Sequence, residues 1–184
     1  MLRQQALNTA MMEAVEFVHA EGWDEPPTLF ALVPSELVVD QLEELERADS
    51  HRSVPPLTLV IQDLPESILP GSGELADYIA RATWPQQVAG VILAQEIVFR
   101  DTAEASAGED PRQARLFSGA LREVDADDAK IEQTLLQIRP TEAELEEGGL
   151  FAHDDIELRG GPSVAPQVLA ALRYSLSQAP DEID

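Results

Sequence analysis

The sequence predicts an α+β fold, in which helices pack on a mixed, largely antiparallel sheet of about five strands. The first half of the chain alternates helical and extended patterns, whereas the second half contains two neighbouring extended segments around an acidic turn. Because the alternation stops before the end of the chain, a doubly wound parallel sheet is not expected. With 184 residues, 44% of them hydrophobic, residues 1–184 are expected to form one domain with a substantial core.

The N-terminal helix is predicted from a helical repeat of apolar residues that ends at a glycine. Its buried face would hold Leu7, Met11, Ala14, Val15 and Val18. Gly22 is the expected C-terminal cap. The two prolines at 26 and 27 cannot continue the helix, because proline has no backbone N–H to donate. Residues 28–33 are then typical of a short buried strand.

A second helix is expected to begin at Ser35, a residue type that commonly caps a helix N-terminus. Its inner face would carry Val38, Leu42 and Leu45. Its outer face would carry an acidic stripe, which we define as Glu36, Asp40, Glu43 and Glu44.

The middle of the chain predicts two strands with a helix between them. The strands are expected at 57–62 and 88–99, and the second is the clearest extended segment of the sequence. The helix is expected to start at Ser72 or Gly73 and to turn Leu75 and Ile79 inward.

The last part of the chain predicts a hairpin and a final helix. Residues 114–122 and 130–139 would form the hairpin, and residues 156–158 a short further strand. Flexible loops are expected at 101–112 and 140–153, and a frayed tail at 179–184. The C-terminal amphipathic helix would bury Val164, Val168, Leu169, Leu172 and Leu176.

The net charge excludes two classes of partner. The chain has 35 acidic and 12 basic residues, which gives −23 at neutral pH, and the acids are spread along the sequence rather than gathered in a tail. Such a surface repels nucleic-acid phosphates and anionic membranes. Basic protein segments and metal cations are the compatible classes.

Cysteine is absent, which excludes disulfides, thiolate metal sites and a cysteine nucleophile. Glu13 and Glu16 interrupt the apolar residues near the N-terminus, so no signal peptide is predicted there. No stretch approaches the roughly 20 apolar residues of a membrane span. We therefore expect a cytoplasmic protein.

Three short motifs resemble known sites but fit them poorly, and no cofactor is expected. Residues 71–76, GSGELA, match a dinucleotide-binding glycine pattern, but several residues separate them from the preceding strand, which favours a turn and an N-cap. A calcium loop starting at Asp125 would need glycine and glutamate where Lys130 and Leu136 stand. His153 and the two aspartates after it are too few protein ligands for a catalytic zinc site.

Residues 159–163, RGGPS, form the candidate ligand site of the sequence. The guanidinium of Arg159 and the backbone amides of Gly160 and Gly161 would hold a carboxylate or a phosphate at the start of the last helix. The alternative is a tight turn in which Ser163 caps the helix and Arg159 is solvated.

Both tryptophans occupy the same kind of position, just after a helix and just before a proline and an apolar strand. We interpret Trp23 and Trp84 as covers for these two joints, each with its indole N–H bound to a polar group. The alternative is that Trp23, beside Asp24 and Glu25, lines a groove for a ligand or a partner.

Three segments, GWDEPPTLFALVP, WPQQVAGVILAQE and GPSVAPQVLAAL, resemble recurring segments of an uncharacterised family of small acidic proteins in Actinobacteria. The resemblance covers most of the chain, from the first helix to the last. It implies a GC-rich actinobacterial cytoplasm, consistent with one lysine among the 12 basic residues, and it implies no site and no mechanism.

These observations favour a non-enzymatic binding or adaptor protein that engages a basic protein segment through the acidic stripe and the acidic loops. The alternative is a small-molecule or anion-binding protein, or an enzyme, that uses Arg159, Gly160, Gly161 and Ser163. The sequence does not predict an oligomeric state.

Overall fold

The structure is a computed structural model that describes residues 4–38, 56–65, 67–69, 72–99, 112–124, 129–140, 145–147, 158–160 and 166–177. Within these ranges three helices, α1 (Gln4–Glu21), α2 (Gly73–Arg81) and α3 (Pro166–Ser177), pack on a six-stranded sheet. None of the helices described is both long enough and apolar enough to cross a membrane.

Helix α1 forms as its apolar repeat predicts. Its buried residues are those at helical spacing along one face, together with two alanines. The helix ends at Glu21 because Gly22 follows with a φ of +96°, a left-handed conformation that glycine adopts without a steric penalty. The N–H of Gly22 donates to the carbonyl of His19 at 3.3 Å, which satisfies one of the last carbonyls of the helix.

The sheet confirms the predicted α+β class. Its strands are β1 (Thr28–Pro34), β2 (Leu57–Gln62), β3 (Gly90–Phe99), β4 (Arg112–Val124), β5 (Lys130–Ile138) and β6 (Leu158–Gly160). Their spatial order is β2-β1-β3-β4-β5-β6, and each neighbouring pair is antiparallel. The predicted hairpin is the β4–β5 pair, and β6 corresponds to the short further strand expected near residue 158, so that the described sheet has six strands where about five were expected.

Helices cover both faces of this sheet and give two apolar cores. Helix α1 packs on one face against residues such as Phe30, Ile92 and Phe117. Helices α2 and α3 pack on the other face, around Leu93 and Trp84. Because both faces are covered, the central strands are buried on both sides and carry long apolar runs.

The register of β3 and β4 sets which side chains meet on each face. Gly90 lies opposite Leu121, Ile92 opposite Gly119, and Glu96 opposite Arg115. Side chains alternate along a strand, so all of these residues lie on the face covered by α1. The last pair brings two opposite charges to the end of an otherwise apolar row.

The helix predicted to begin at Ser35 is different in the structure. Ser35–Val38 is a 3₁₀ helix, and residues 39–55 lie outside the described part of the chain. Ser35 is buried, and its Oγ is 2.8 Å from the Oγ1 of Thr58, so the serine ties β1 to β2 instead of capping an α-helix. The rest of the predicted helix, including Leu42 and Leu45 of its inner face, stays a prediction.

Several predicted boundaries also move. The short strand expected at 156–158 is observed at Leu158–Gly160, while residues 156 and 157 are not described. Helix α3 is described from Pro166, a residue suited to the first helical position because it lacks an N–H, and Val164 lies outside the described residues.

The two predicted loops are described only in part. Arg112 belongs to β4, and residues 145–147 form a short helical turn. The rest of the predicted loops 101–112 and 140–153, apart from Pro140, and the predicted tail 179–184 lie outside the described residues.

Candidate functional site

A cleft of about 740 Å³ opens between helix α2 and the end of β2, and we call it the α2 cleft. Its apolar floor is formed by Leu29, Ile68 and Trp84, all of them buried. Tyr78 of α2 lines the same cleft and is partly exposed. The volume is within the range of roughly 300–1,000 Å³ that is usual for pockets with bound ligands.

Charged side chains around the α2 cleft are mostly acidic. Asp63, Glu74 and Asp77 line it with exposed carboxylates, and Arg81 is the basic residue among its lining. Glu74 lies in the first turn of α2 and Arg81 in the last, positions where each charge interacts favourably with the helix dipole. Three carboxylates against one guanidinium give the cleft a negative potential.

Helix α2 is held at the cleft by the cap that the sequence predicts. Ser72 is the N-cap: its Oγ accepts a hydrogen bond from the N–H of Leu75 at 3.1 Å. Residues 72–76 of the glycine-rich motif therefore serve as a cap and a first turn, which is the structural alternative to a dinucleotide site. Residue 71 is outside the described range.

The joint that follows α2 is closed by Trp84, as predicted. The indole is 7% exposed, and its Nε1–H donates to the Oγ of Ser175 on α3 at 3.0 Å. Arg122 of β4 donates to the carbonyls of Trp84, Pro85 and Val88, and also to that of Leu176 near the end of α3. A single guanidinium thus joins the segment after α2 and the end of α3 to the sheet.

Trp23, at the joint after α1, is half-buried and stacks on two arginines. The Cζ of Arg115 lies 4.0 Å from the ring centroid and that of Arg139 lies 5.3 Å from it, within the distance of a cation–π contact. Arg139 also forms an ion pair with Asp24 at 3.1 Å. Trp23 therefore links the joint after α1 to the β4–β5 pair through these two arginines, and a polar partner for its indole N–H stays a prediction.

Arg115 is the most unusual side chain of this region, because it is 1% exposed. It donates from one terminal nitrogen to Gln137 Oε1 at 3.1 Å and from the other to the carbonyl of Gly22. Its Nε is buried and has no hydrogen-bond partner among the described residues. Burial lowers the pKa of Arg115 from its ordinary value, and the charge of Glu96 opposes this shift.

A second, smaller cavity of about 220 Å³ lies on the α1 face beside Arg115, and we call it the α1 cavity. Besides Arg115 it is lined by the carboxylate residues Glu21, Glu25 and Glu96 and by the ring of Phe17. An Oε2 of Glu96 accepts a hydrogen bond of 2.7 Å from the N–H of Glu25, which holds the loop after α1 against β3.

Metal ligands are not assembled in the part of the chain that is described: no three histidine, aspartate or glutamate side chains there are grouped to hold an ion. His153 and the two aspartates after it fall outside the described residues, as do residues 125–128 of the calcium-like run.

The predicted anion site is only partly described. Arg159 and Gly160 lie in β6, where Arg159 pairs with Leu136 of β5. Gly161 and Ser163 are outside the described residues, and α3 begins only at Pro166. An anion site at these residues stays a prediction.

The acidic stripe is described at one of its four residues. Glu36 is exposed on the 3₁₀ helix, next to Leu37, which is 56% exposed. Asp40, Glu43 and Glu44 lie outside the described residues, and their role as a contact surface stays a prediction.

The residues of the α1 cavity were not predicted from the sequence as a site. The signal was present in β4, where residues 114–121 are all buried and Arg115 is the charged residue among them. A charge inside a run of apolar and small residues on a strand covered on both faces must find partners. The partners themselves come from α1, β3 and β5, and no spacing within one segment reveals them.

The comparisons with known proteins identify a family without naming a ligand or a reaction. Neither the curated proteins nor the solved structures include a significant match to the chain. The model of the family described as PPA1309-like protein matches residues 7–177, a range that runs from α1 to the end of α3 and includes both cavities. The chain belongs to the PPA1309-like protein family.

Proposed function

We propose that this protein is a non-enzymatic binding or adaptor protein, and that it engages a basic segment of a partner protein in the α2 cleft. The observation that carries the proposal is the composition of the cleft: Asp63, Glu74 and Asp77 surround an apolar floor and face one arginine. A chain of −23 net charge attracts a basic partner at long range. The apolar floor would then bind its uncharged side chains.

The geometry suits an extended segment that carries both apolar and basic side chains. Such a segment would lay apolar side chains on Ile68 and Trp84 while its lysines or arginines reach the carboxylates at the rim. Strand β2 borders the cleft through Gln62 and is an edge strand of the described sheet. Val60 of this strand is 41% exposed on the same face, which extends the apolar surface along the strand.

The acidic stripe belongs to the same proposal. Glu36 and Leu37 are exposed at the opposite end of β1 from Thr28, and Asp40, Glu43 and Glu44 follow them in the sequence. We propose that they add long-range attraction for the same basic partner. Nucleic acids and anionic membranes are not expected to bind, because the same charge repels them.

We further propose that this interaction takes place in the cytoplasm of an actinobacterium, the setting that the resemblance of its segments implies. The basic residues are almost all arginine, with one lysine among 12, and this bias is consistent with that setting.

The test is a binding titration with labelled peptides that alternate lysine and leucine, at low and high salt. A peptide with glutamine in place of lysine is the control ligand. Replacing Asp63 and Asp77 with asparagine should weaken binding about two- to thirtyfold, since each exposed ion pair contributes about 0.2–1 kcal/mol. Replacing the exposed Glu16 and Glu147 with glutamine removes the same charge away from the cleft. If the Glu16 and Glu147 double variant loses as much affinity for the peptide as the Asp63 and Asp77 double variant, the proposal is wrong.

A further inference from the structure

The α1 cavity combines features that the binding of a basic protein segment does not use. It lies on the face of the sheet covered by α1, whereas the α2 cleft lies on the other face. Its wall includes the buried cation of Arg115, whose Nε has no hydrogen-bond partner among the described residues. An unpartnered polar atom in a buried position is costly unless a ligand or another group satisfies it.

Arg115 forms no salt bridge within the described part of the chain, although the charges of Glu96 and Glu25 act on it. Its two hydrogen bonds go to neutral acceptors, the amide of Gln137 and the carbonyl of Gly22. No ion pair joins it to a described carboxylate. A buried cation of this kind favours an anionic group at its free position. A carboxylate is an anion whose geometry matches a guanidinium, and it is small enough for this cavity.

Carboxylates lie on the other side of the same cavity. Glu96 is opposite Arg115 in the β3–β4 register, where side chains on one face start about 5 Å apart. Glu21 and Glu25 line the cavity from α1 and the loop after it. The cavity therefore presents a positive and a negative group a short distance apart.

From these observations we propose that the α1 cavity binds a small zwitterion, namely a free α-amino acid with an apolar side chain. Its carboxylate would accept hydrogen bonds from Arg115, and its ammonium group would donate to Glu96 and Glu25. The remaining wall, formed by Phe17, Val18 and Ile61, is apolar and would contact the side chain. A volume of about 220 Å³ is below the roughly 300–1,000 Å³ of drug-sized pockets, which restricts the ligand to a small molecule.

Two simpler ligands fit less well. A carboxylate without an amine would meet three glutamates in the same cavity and be repelled. An amine without a carboxylate would leave the Nε of Arg115 without an acceptor. The zwitterion offers a group to both ends at once, because its carboxylate and its ammonium group are attached to the same carbon atom.

The experiment is a thermal-shift series on the full chain with three matched ligands: leucine, 4-methylpentanoate and 3-methylbutylamine. At about 100 times its Kd, leucine should raise the Tm by roughly 5–10 °C. The acid and the amine, each lacking one charge, should give little shift. If leucine gives no shift, or if the amine shifts the Tm as much as leucine, the proposal is wrong.

Two further measurements locate the ligand. Glu96→Gln keeps an acceptor for the N–H of Glu25 but removes the charge, and it should abolish the leucine shift. Glu16→Gln, on the same face of the molecule but outside the cavity lining, should retain it. In the wild-type protein, leucine should also move the NMR resonance of the Arg115 Nε–H. An unchanged resonance, or a leucine shift that survives Glu96→Gln, would overturn the assignment.

Discussion

Arg115 connects several separate segments of this molecule through one side chain. It is a cation in a strand covered on both faces, and it contacts the end of α1, the indole of Trp23 and the amide of Gln137. Gln137 in turn lies 3.2 Å from Nδ1 of His19, so the network returns to α1. Charged groups in such positions are stable only with partners, and here those partners fix how the helix meets the sheet.

Glu13 on α1 gives a pH-dependent prediction. Burial raises the pKa of Glu13, and the charge of Glu16 raises it further. The folded state therefore holds this proton more tightly than the unfolded state, so stability falls as pH rises from the ordinary glutamate pKa through the raised value. Glu13→Gln should raise the Tm at neutral pH and have no such effect below the ordinary pKa. Thermal unfolding at both pH values measures this. An equal increase in Tm at both pH values would contradict this prediction.

Two glycines give opposite predictions for the same substitution. A Cβ at Gly90 would lie 2.6 Å from the backbone oxygen of Ala120, an atom that cannot move aside easily. Gly90→Ala should therefore reduce the free energy of unfolding by about 1–3 kcal/mol. At Gly73, in the first turn of α2, an added Cβ would meet no atom within 4 Å. Gly73→Ala should stabilise by about 0.5–1 kcal/mol, because alanine favours the helix. Urea unfolding of both variants tests the contrast.

At the scale of elements, the two helix-to-strand joints use the same combination of groups. Each has a tryptophan after the helix and an arginine of β4 that donates to a carbonyl of the joint: Arg115 to Gly22, and Arg122 to Trp84 and Pro85. The roles of the tryptophans and prolines at these joints could be predicted from the sequence, because each residue acts within its own segment. The arginines could not, since their partners lie far along the chain.

Arg122 should contribute more to stability than an ordinary exposed charge. Arg122→Ala removes hydrogen bonds to carbonyls on both sides of the joint, and it should lower the free energy of unfolding by about 2–3 kcal/mol. Arg122→Lys should recover little, since an ammonium group cannot reach all of these carbonyls at once. Lys130→Ala, an exposed basic residue of β5, should stay within about 0.5 kcal/mol. Full recovery by lysine would show that charge alone matters.

Most helices and strands could be predicted from periodicity, turn residues and caps, and the failures have physical causes. The helix predicted to begin at Ser35 has a 3₁₀ helix at Ser35–Val38, where the Ser35 hydroxyl is bonded to Thr58 of β2. The strand near 158 was displaced by two residues because its position is set by pairing with β5. The candidate sites were much less predictable. The α2 cleft and the α1 cavity are each built from several segments that are distant in sequence, and only folding brings their residues together.

At the scale of the whole molecule, a net charge of −23 on 184 residues should oppose the compact state. Salt screens such repulsion, with a Debye length of about 8–10 Å at physiological ionic strength. The Tm should therefore rise when sodium chloride is added to a low-salt buffer. Thermal unfolding across a salt series measures this. A Tm that stays constant or falls would mean that attractive pairs, such as Arg173 with Glu132 at 3.0 Å, outweigh the repulsion.

We propose that the same charge attracts a basic partner and that this partner binds in the α2 cleft. NMR titration of the isotope-labelled protein with a lysine–leucine peptide at low salt tests that proposal most directly. We expect the amide resonances of Gly73–Arg81 and of the end of β2, near Gln62 and Asp63, to shift together and to saturate. Shifts scattered over all acidic surfaces, or confined to other elements while these amides stay unchanged, would show that the cleft is not the binding site.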